Sequence, residues 1–550
     1  MKTRKFLVMR SGLFASVMTL MMACSLDVKV KDPNVILPVS NSGAPTPESI
    51  TAIYGQLTGL TTDQGDWFAM GVHTTDEMMG PTRGTDWDDF GQWRKLHLHT
   101  WDGVHPQVIT AWNNIQQGLF QTTLLAESTS GAAGDVAAAQ FLRSFWRYMS
   151  MDMYGIVQHR PATAPILALP QVYTRSQAWN ATRSELKNCI ANLPAFSAAN
   201  RGVATKEAAY FLLARLYLNR AVFQGDPTKP AGPFSFASTD MDSVIYYVNQ
   251  IEANASLSIS PFYWDNFSWK NTNKSTENIF VRRQQDGGNM RWPTYMGAHY
   301  NMVPSGWNGF VILADSWNRF DTLNDSRVYD TIPSYSAALF RNVGVLTGQL
   351  YGPTDPATGG HYVGAPKAAL TDRSGSPLIF TKSVDLFVAT EAKGYRTNKY
   401  PLDPVSLTNG GDGSSSTNDY VFYRFSDALL MKAEAILRGG TDPKSETPTG
   451  IINSIRANRV SHAAIAAAVA AGHPAPTLTQ VSGATLQDVL DERGRELYLE
   501  QTRRNDLIRF EVFNKPVYGR TAASDPTRCI FPIPFVALSS NPNLVQNLGY

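Results

Sequence analysis

Tryptophan is unevenly spread along this chain, and where it gathers it is mixed with carboxylates. Five of the twelve tryptophans lie between Trp67 and Trp112, and five more between Trp264 and Trp317. The stretch Asp63–His105 combines Trp67, Asp76, Glu77, Arg83, Asp86, Trp87, Asp88 and Trp93. The stretch Asp286–Trp307 combines Asp286, Asn289, Arg291, Trp292, Tyr295, His299, Tyr300 and Trp307. An indole inside a helical repeat is ordinarily core. In a polar, glycine-rich loop it is available to lie on the C–H face of a sugar ring while carboxylates and amides take the hydroxyls. Trp87, Trp93, Trp292, Tyr295 and Trp307 are therefore the candidate platforms, with Asp88 and Arg83 as candidate polar contacts. Ordinary packing is the competing explanation for each of the aromatics.

Other chemistries are poorly provided for. His97 and His99, two apart on a strand, could share a face with His105, but no cysteine or carboxylate stands at a confirming metal-ligand spacing. Asp86-Trp-Asp-Asp-Phe-Gly91 imitates the start of a calcium loop without the glutamate at its twelfth position. There is no nucleophile elbow, zinc-protease helix or phosphate-binding loop, so neither a metal nor a cofactor is expected. Asp76-Glu77 and Asp88-Asp89 could be imagined as a hydrolase pair, but catalytic carboxylates are selected by separation in space. The expectation is a protein that binds without catalysis.

These loops need a scaffold, and the rest of the chain supplies helices. Apolar residues recur at helical spacing through Trp112–Glu127, Asp135–Tyr154, Thr205–Phe223 and Asp242–Glu252. Thr205–Phe223 is apolar almost all round, which predicts a buried helix. Residues 261–417 are rich in Gly, Pro, Asn, Ser and Thr. A structureless loop of that length does not belong in a compact domain, so short strands and helices are expected there. Helical patterning resumes over Asn418–Ala435, at Ile452–Arg456 and over Thr485–Phe510. In the last of these, Asp491/Arg495 and Glu500/Arg504 stand four apart as helix-surface pairs. The predicted fold is mainly α, built from tetratricopeptide-like hairpins (an α-α superhelix) with a loop-rich irregular region and short strands. It would form one domain over 48–550, divided into helices (48–260), the loop-rich region (261–417) and C-terminal helices with a docked tail (418–550).

The N-terminus gives an address. Lys2, Arg4, Lys5 and Arg10 precede an uncharged stretch, Ser11–Ala23, too short to span a bilayer. It closes on Leu20-Met-Met-Ala-Cys24, so residues 1–23 are expected to be a lipoprotein signal, Cys24 the lipidated residue and 24–47 an extended tether. The leader carries four basic residues and no acid. Its removal turns a formal charge of +2 (48 basic, 46 acidic) into −2 (44 against 46), which gives no footprint for nucleic acid. The remaining cysteines, Cys189 and Cys529, could pair in an exported protein but make no disulfide framework.

Two segments near the C-terminus carry a resemblance. One is Glu492-Arg-Gly-Arg-Glu-Leu-Tyr-Leu-Glu-Gln-Thr-Arg-Arg-Asn-Asp-Leu-Ile-Arg-Phe510. The other is Phe531-Pro-Ile-Pro534 followed by Asn541-Pro-Asn-Leu-Val-Gln-Asn-Leu-Gly-Tyr550. In this order they resemble the signature of the SusD/RagB family. Phe141-Leu-Arg-Ser144 with Tyr154-Gly155, Thr205–Leu218, and Arg424, Asp427, Leu429, Leu430, Ala433, Glu434 and Ala435 extend the likeness over most of the chain. The resemblance implies a surface-exposed outer-membrane lipoprotein that captures a nutrient, usually an oligosaccharide, for a TonB-dependent SusC-like barrel transporter. It also implies that an aromatic arc from the two tryptophan-rich loops holds the glycan. Alternatives are the same fold binding peptides, a periplasmic helical-repeat scaffold, and a glycoside hydrolase.

Overall fold

Thr205 accepts a hydrogen bond from the backbone N–H of Ala208, and behind this cap runs a helix buried on nearly every side, as its lack of a polar stripe requires. It is one of a series in a computed structural model that describes residues 47–61, 63–165, 167–284, 292–302, 305–321, 324–332, 342–353, 367–403 and 417–550. The leader, Cys24 and all but the last residue of the expected tether lie outside the described residues, as do Asp286, Asn289 and Arg291. The helices used below are α1 (Asp66–Val72), α2 (Gln92–Leu98), α3 (Pro106–Ala126), α4 (Ala133–Tyr154), α5 (Arg175–Cys189), α6 (Lys206–Leu218), α7 (Ser238–Glu252), α8 (Phe425–Leu437), α9 (Pro448–Ala457), α10 (Leu486–Glu496) and α11 (Arg503–Arg509).

Neighbours in sequence are neighbours in space. α3 packs on α4, α4 on α5, α6 on α7, and α8 on both α7 and α9, which is the helical-hairpin architecture expected. Pro106 opens α3 at a position where its missing N–H costs nothing. Gly155, left-handed at φ 71°, ends α4. A Thr174/Gln177 capping box starts α5. Gly118 on α3 faces the Trp146 ring of α4, and any Cβ there would collide with it. That single absence sets how closely α3 and α4 approach.

The loop-rich region is ordered by short antiparallel ladders. The strands used here are β1 (Met78–Met79), β2 (Asn278–Arg282), β3 (Val311–Ile312), β4 (Tyr329–Asp330), β5 (Val343–Leu346), β6 (Arg396–Asn398) and β7 (Tyr420–Arg424). β2 pairs with β7, with Arg282 opposite Tyr420. β5 lies between β6 and β4. β1 pairs with β3, Met78 opposite Ile312, and so ties the first tryptophan-rich segment to the second.

The expected helix over Thr485–Phe510 is two helices. The chain breaks at Leu497–Thr502, where Leu499 (φ 59°) and Gln501 (φ 65°) are left-handed. The break has an electrostatic reason. It lets Glu496 and Glu500 turn inward onto Arg424, which contacts them at 2.7 and 2.8 Å and Glu277 at 2.9 Å. Arg459 joins Glu277 and Glu496 at 2.7 and 2.8 Å. Arg327 adds Asp325 and Glu492, both at 2.7 Å. All these side chains are buried. The surface pairs read from sequence spacing are replaced by others. Arg504 meets Asp152 at 3.0 Å, Arg495 meets Glu492 at 2.9 Å, and Glu500 also takes Lys399 at 2.8 Å. Here burial alone would raise the Glu496 carboxyl, but Arg459, Arg424 and Arg327 hold it well below the usual carboxylate range.

The closing tail docks, as its apolar content predicts. Phe531 and Ile533 are fully buried. The Phe531 N–H donates to Met153 O at 2.8 Å, and Asn547 Nδ2 donates to Tyr154 O at 2.9 Å. Tail groups thereby satisfy carbonyls of the last turn of α4. Cys189 and Cys529 are separate buried thiols, each pushed up to about 12 by burial.

Candidate functional site

Between β1 and α2 four of five successive residues are left-handed, Trp87 (φ 61°), Asp89 (φ 40°), Phe90 (φ 55°) and Gly91 (φ 75°), with only Asp88 right-handed among them. Three of these are not glycine, so the loop is held against its backbone preference, a condition typical of binding sites. The second segment holds it. The Trp87 indole N–H donates to Trp307 O at 2.9 Å. Its ring lies over Gly309, where any Cβ would enter the indole. Phe310 fills the space beneath, with its ring centroid 4.9 Å from those of both Trp87 and Trp93.

An open cleft of about 650 Å³ lies above this clasp. Trp87 and Trp307, both half-buried, and the edge of Trp93 line it, with Tyr300 and the carboxylates of Asp63, Asp66, Asp86 and Asp89. Gln92 and Gln107 complete the floor, joined to each other at 3.1 Å. Asp86 accepts from the Tyr300 hydroxyl at 2.8 Å, and Asp89 accepts from the Trp93 indole N–H at 2.6 Å. Burial and the hydrogen bond to Asp86 push the Tyr300 hydroxyl up to about 12. Burial, then the neighbouring Asp63 charge, pushes the Asp66 carboxyl up to about 7 against the opposing hydrogen bond from Asn114. Phe90, 97% exposed, stands on the same left-handed run as a free aromatic face.

The candidates chosen from sequence divide. The structure brings Trp87, Trp93 and Trp307 together in the cleft, although Trp93, 3% exposed, serves more as floor than platform. Tyr295 is 7% exposed and supports Trp307 from behind, with ring centroids 5.9 Å apart. Trp292 is corrected to core. It is 2% exposed, its indole N–H donates to Thr61 O at 3.0 Å, and its ring meets Phe68 edge-on at 4.6 Å. Arg83 is also corrected. It is 6% exposed and donates to the carbonyls of Thr390 and Lys393, so it fixes the 390–393 turn and does not reach the cleft. Asp88 is half-exposed, pairs with Arg94 at 2.7 Å, and lies outside the cleft lining.

Sequence reasoning passed over Asp66, Gln92, Gln107 and Phe90 as ligand contacts, and weighed Asp89 only as part of a hydrolase pair or calcium loop. Asp66, Gln92 and Gln107 sit in first helical turns, where a polar residue reads as an end group. The three histidines weighed as ligands face carbonyls: His97 Nε2 reaches Tyr518 O at 2.8 Å, His99 Nε2 reaches Thr74 O at 2.7 Å, and His105 Nε2 reaches Gln92 O at 3.1 Å. Burial lowers all three, His97 to about 4. Among the described residues no group of three or more His, Cys, Asp or Glu side chains is placed to hold a metal ion.

Comparison with known proteins places this arrangement. Residues 387–550 match the profile of the SusD family. The starch-binding protein SusD of Bacteroides thetaiotaomicron is 25% identical over 452 residues, which span 75% of this chain and 72% of the relative. The chain is SusD-like. Solved structures share the SusD-like fold at low identity. Surface glycan-binding protein A from Bacteroides thetaiotaomicron, in complex with laminarihexaose, superposes with a TM-score of 0.61 at 18% identity, over 90% of this chain and 98% of that one. A SusD superfamily protein from Parabacteroides distasonis superposes with a TM-score of 0.64 at 16% identity, over 91% and 98%. The resemblance read from the C-terminal signature is thus borne out. Its residues now have a physical role: Glu492, Glu496 and Glu500 hold Arg327 and Lys399 of the loop-rich region, Arg503 holds Asp76 ahead of β1, and Asp506 and Arg509 join α11 to α10 and to Glu434 of α8.

Proposed function

We propose that this SusD-like protein is a non-catalytic surface glycan-binding protein that holds an oligosaccharide in the cleft between Trp87 and Trp307. One observation carries the reading. Two segments over 200 residues apart are clasped so that their indoles, Tyr300 and several carboxylates face one open cleft. Sugar rings present apolar faces and hydroxyl edges, and this wall offers aromatic surface beside acceptors. Two of the similar proteins, one a starch-binding protein and one a surface glycan-binding protein, agree with it. In the fuller reading, Cys24 carries the lipid anchor at the outer membrane. The captured glycan then passes to a TonB-dependent SusC-like transporter.

Calorimetric titration of the mature chain with starch and β-glucan oligosaccharides tests the site. Binding that is lost in Trp307→Ala, in a variant that melts as the parent does, supports it. Binding indifferent to Trp307→Ala and Trp87→Ala would remove the cleft from consideration, and a peptide ligand would become the better reading.

A further inference from the structure

The cleft is acidic to a degree that hydrogen bonding to hydroxyls does not require. Four carboxylates line it, from Asp63, Asp66, Asp86 and Asp89, and among the described residues no lysine or arginine does. Two arginines stand near it among the described residues, and one of them, Arg373, pairs with the cleft carboxylate of Asp86. Arg94 is tied to Asp88 at 2.7 Å. Arg373 is tied to Glu391, lies over the Tyr300 ring at 4.3 Å and reaches Asp86 at 3.4 Å.

Each carboxylate uses one oxygen within the protein. Asp63 Oδ1 accepts from the Gly65 N–H at 2.6 Å and Asp66 Oδ2 from Asn114 at 3.4 Å. Asp86 Oδ2 accepts from Tyr300 and Asp89 Oδ2 from Trp93. Among the described residues the other side-chain oxygen of each has no hydrogen-bond partner and is open to a ligand. Gln64, also in the lining, has a buried Oε1 with no hydrogen-bond donor among the described residues. Burial first, and Asp63 beside it second, raise the Asp66 carboxyl to about 7, so slightly below neutral pH Asp66 adds little charge and the acidity of the cleft comes from the other three carboxylates. The cleft therefore has an excess of acceptors and negative charge facing aromatic rings. A neutral sugar would satisfy some acceptors and discharge nothing, whereas a uronate or sulfate would add to the repulsion. An ammonium group on the sugar ring donates to the free oxygens, offsets the charge and is favoured by the adjacent indole faces.

We propose that the cleft selects glycans bearing free amino groups, polymers of 2-amino-2-deoxy sugars, over their N-acetylated, neutral and uronic counterparts. The proposal rests on the cleft being the glycan site. The test is built so that the two can fail separately.

Purified mature protein is applied, at low salt and slightly below neutral pH, to an array. The array displays each oligosaccharide backbone in amino, N-acetyl, hydroxyl and uronate forms, together with lysine-rich peptides. The expected result is at least about tenfold tighter binding of the amino form than of the other three, a preference that shrinks with added salt. In Asp63→Asn/Asp86→Asn the ratio between amino and N-acetyl forms should fall toward one. If the neutral, N-acetyl or uronate form binds as tightly as the amino form, and Trp307→Ala still abolishes it, amine selection is wrong and the glycan site stands. If no glycan of any form binds, or binding ignores Trp307→Ala, both readings fall. Tighter binding of the lysine-rich peptides than of any amino glycan overturns the proposal in favour of a cationic peptide ligand.

Discussion

The guanidinium of Arg424 and the carboxylate of Glu496, 72 residues apart in sequence, meet at 2.7 Å with both side chains buried. Around this contact converge Glu277 from the start of the β2 arm, Arg459 beyond α9 and Arg327 beside β4. A buried ion pair is no guarantee of stability by itself, but removing one partner leaves the others uncompensated. Arg424→Met leaves Glu277, Glu496 and Glu500 each short of a cation. The expected loss is about 3–5 kcal/mol, read by denaturant unfolding of the mature chain. A loss under about 1 kcal/mol would mean that the network relaxes around the gap.

The two tryptophans most alike in sequence context should behave in opposite ways. Trp307→Ala should weaken ligand binding by about 1–3 kcal/mol, as for a lost aromatic anchor, with a small change in melting temperature. Trp292→Ala should remove about 3–5 kcal/mol of stability, because its ring and its bond to Thr61 are interior. Paired melting and titration on each variant check both. The reverse pattern would exchange their roles.

Gly309→Ala tests the clasp. A methyl group at this position enters the Trp87 indole, so the Trp87 loop must move and the wall of the cleft with it. Affinity should drop at least about tenfold while overall stability changes by no more than about 1–3 kcal/mol, the range for overpacking. Unchanged affinity would show that the wall adapts.

Glu77 gives stability a pH dependence. Burial, with Asp76 beside it, pushes its carboxyl from 4.5 up to about 8 despite Arg503 and Arg319. The folded state thus keeps a proton that the unfolded chain releases. This contribution is complete below about pH 4.5 and is lost as pH rises to about 8, with a slope near 1.4 kcal/mol per pH unit in between. Glu77→Gln should flatten that slope and leave the variant the more stable at pH 8. Parallel slopes for the two proteins would show that Glu77 is ionised in both states.

If the anchor is covalent lipid on Cys24, Cys24→Ala should release the protein from the membrane fraction. Retention after a high-salt wash would place the attachment elsewhere.

The helical half was legible because its period is local: the apolar run of α6 and the helical spacing of α3, α4 and α7 are read within a few positions. The cleft was legible only in outline. Trp292 and Trp307 stand in similar polar, glycine-containing sequence, and what separates them is Thr61 and Phe68 behind one and open space before the other. Arg83 looked like a ligand contact because carbonyl partners three hundred residues away leave no mark in the sequence. The inward turn at Leu499 and Gln501 was missed for a related reason. Helical spacing there continues unbroken, and only the demand of Arg424 for several carboxylates explains the break.

The docked tail also bears on the order in which this chain can reach its final form. Carbonyls at the end of α4 are satisfied by Phe531 and Asn547, and Asp152 waits for Arg504 and Asn505. Hairpins completed early therefore keep open ends until the last fifty residues arrive. Domains that can fold as they emerge do so from the N-terminus. This one is closed from its C-terminus, so a chain truncated ahead of Arg504 should persist as a loose intermediate, open to proteases, with its helices formed and its ends unsealed.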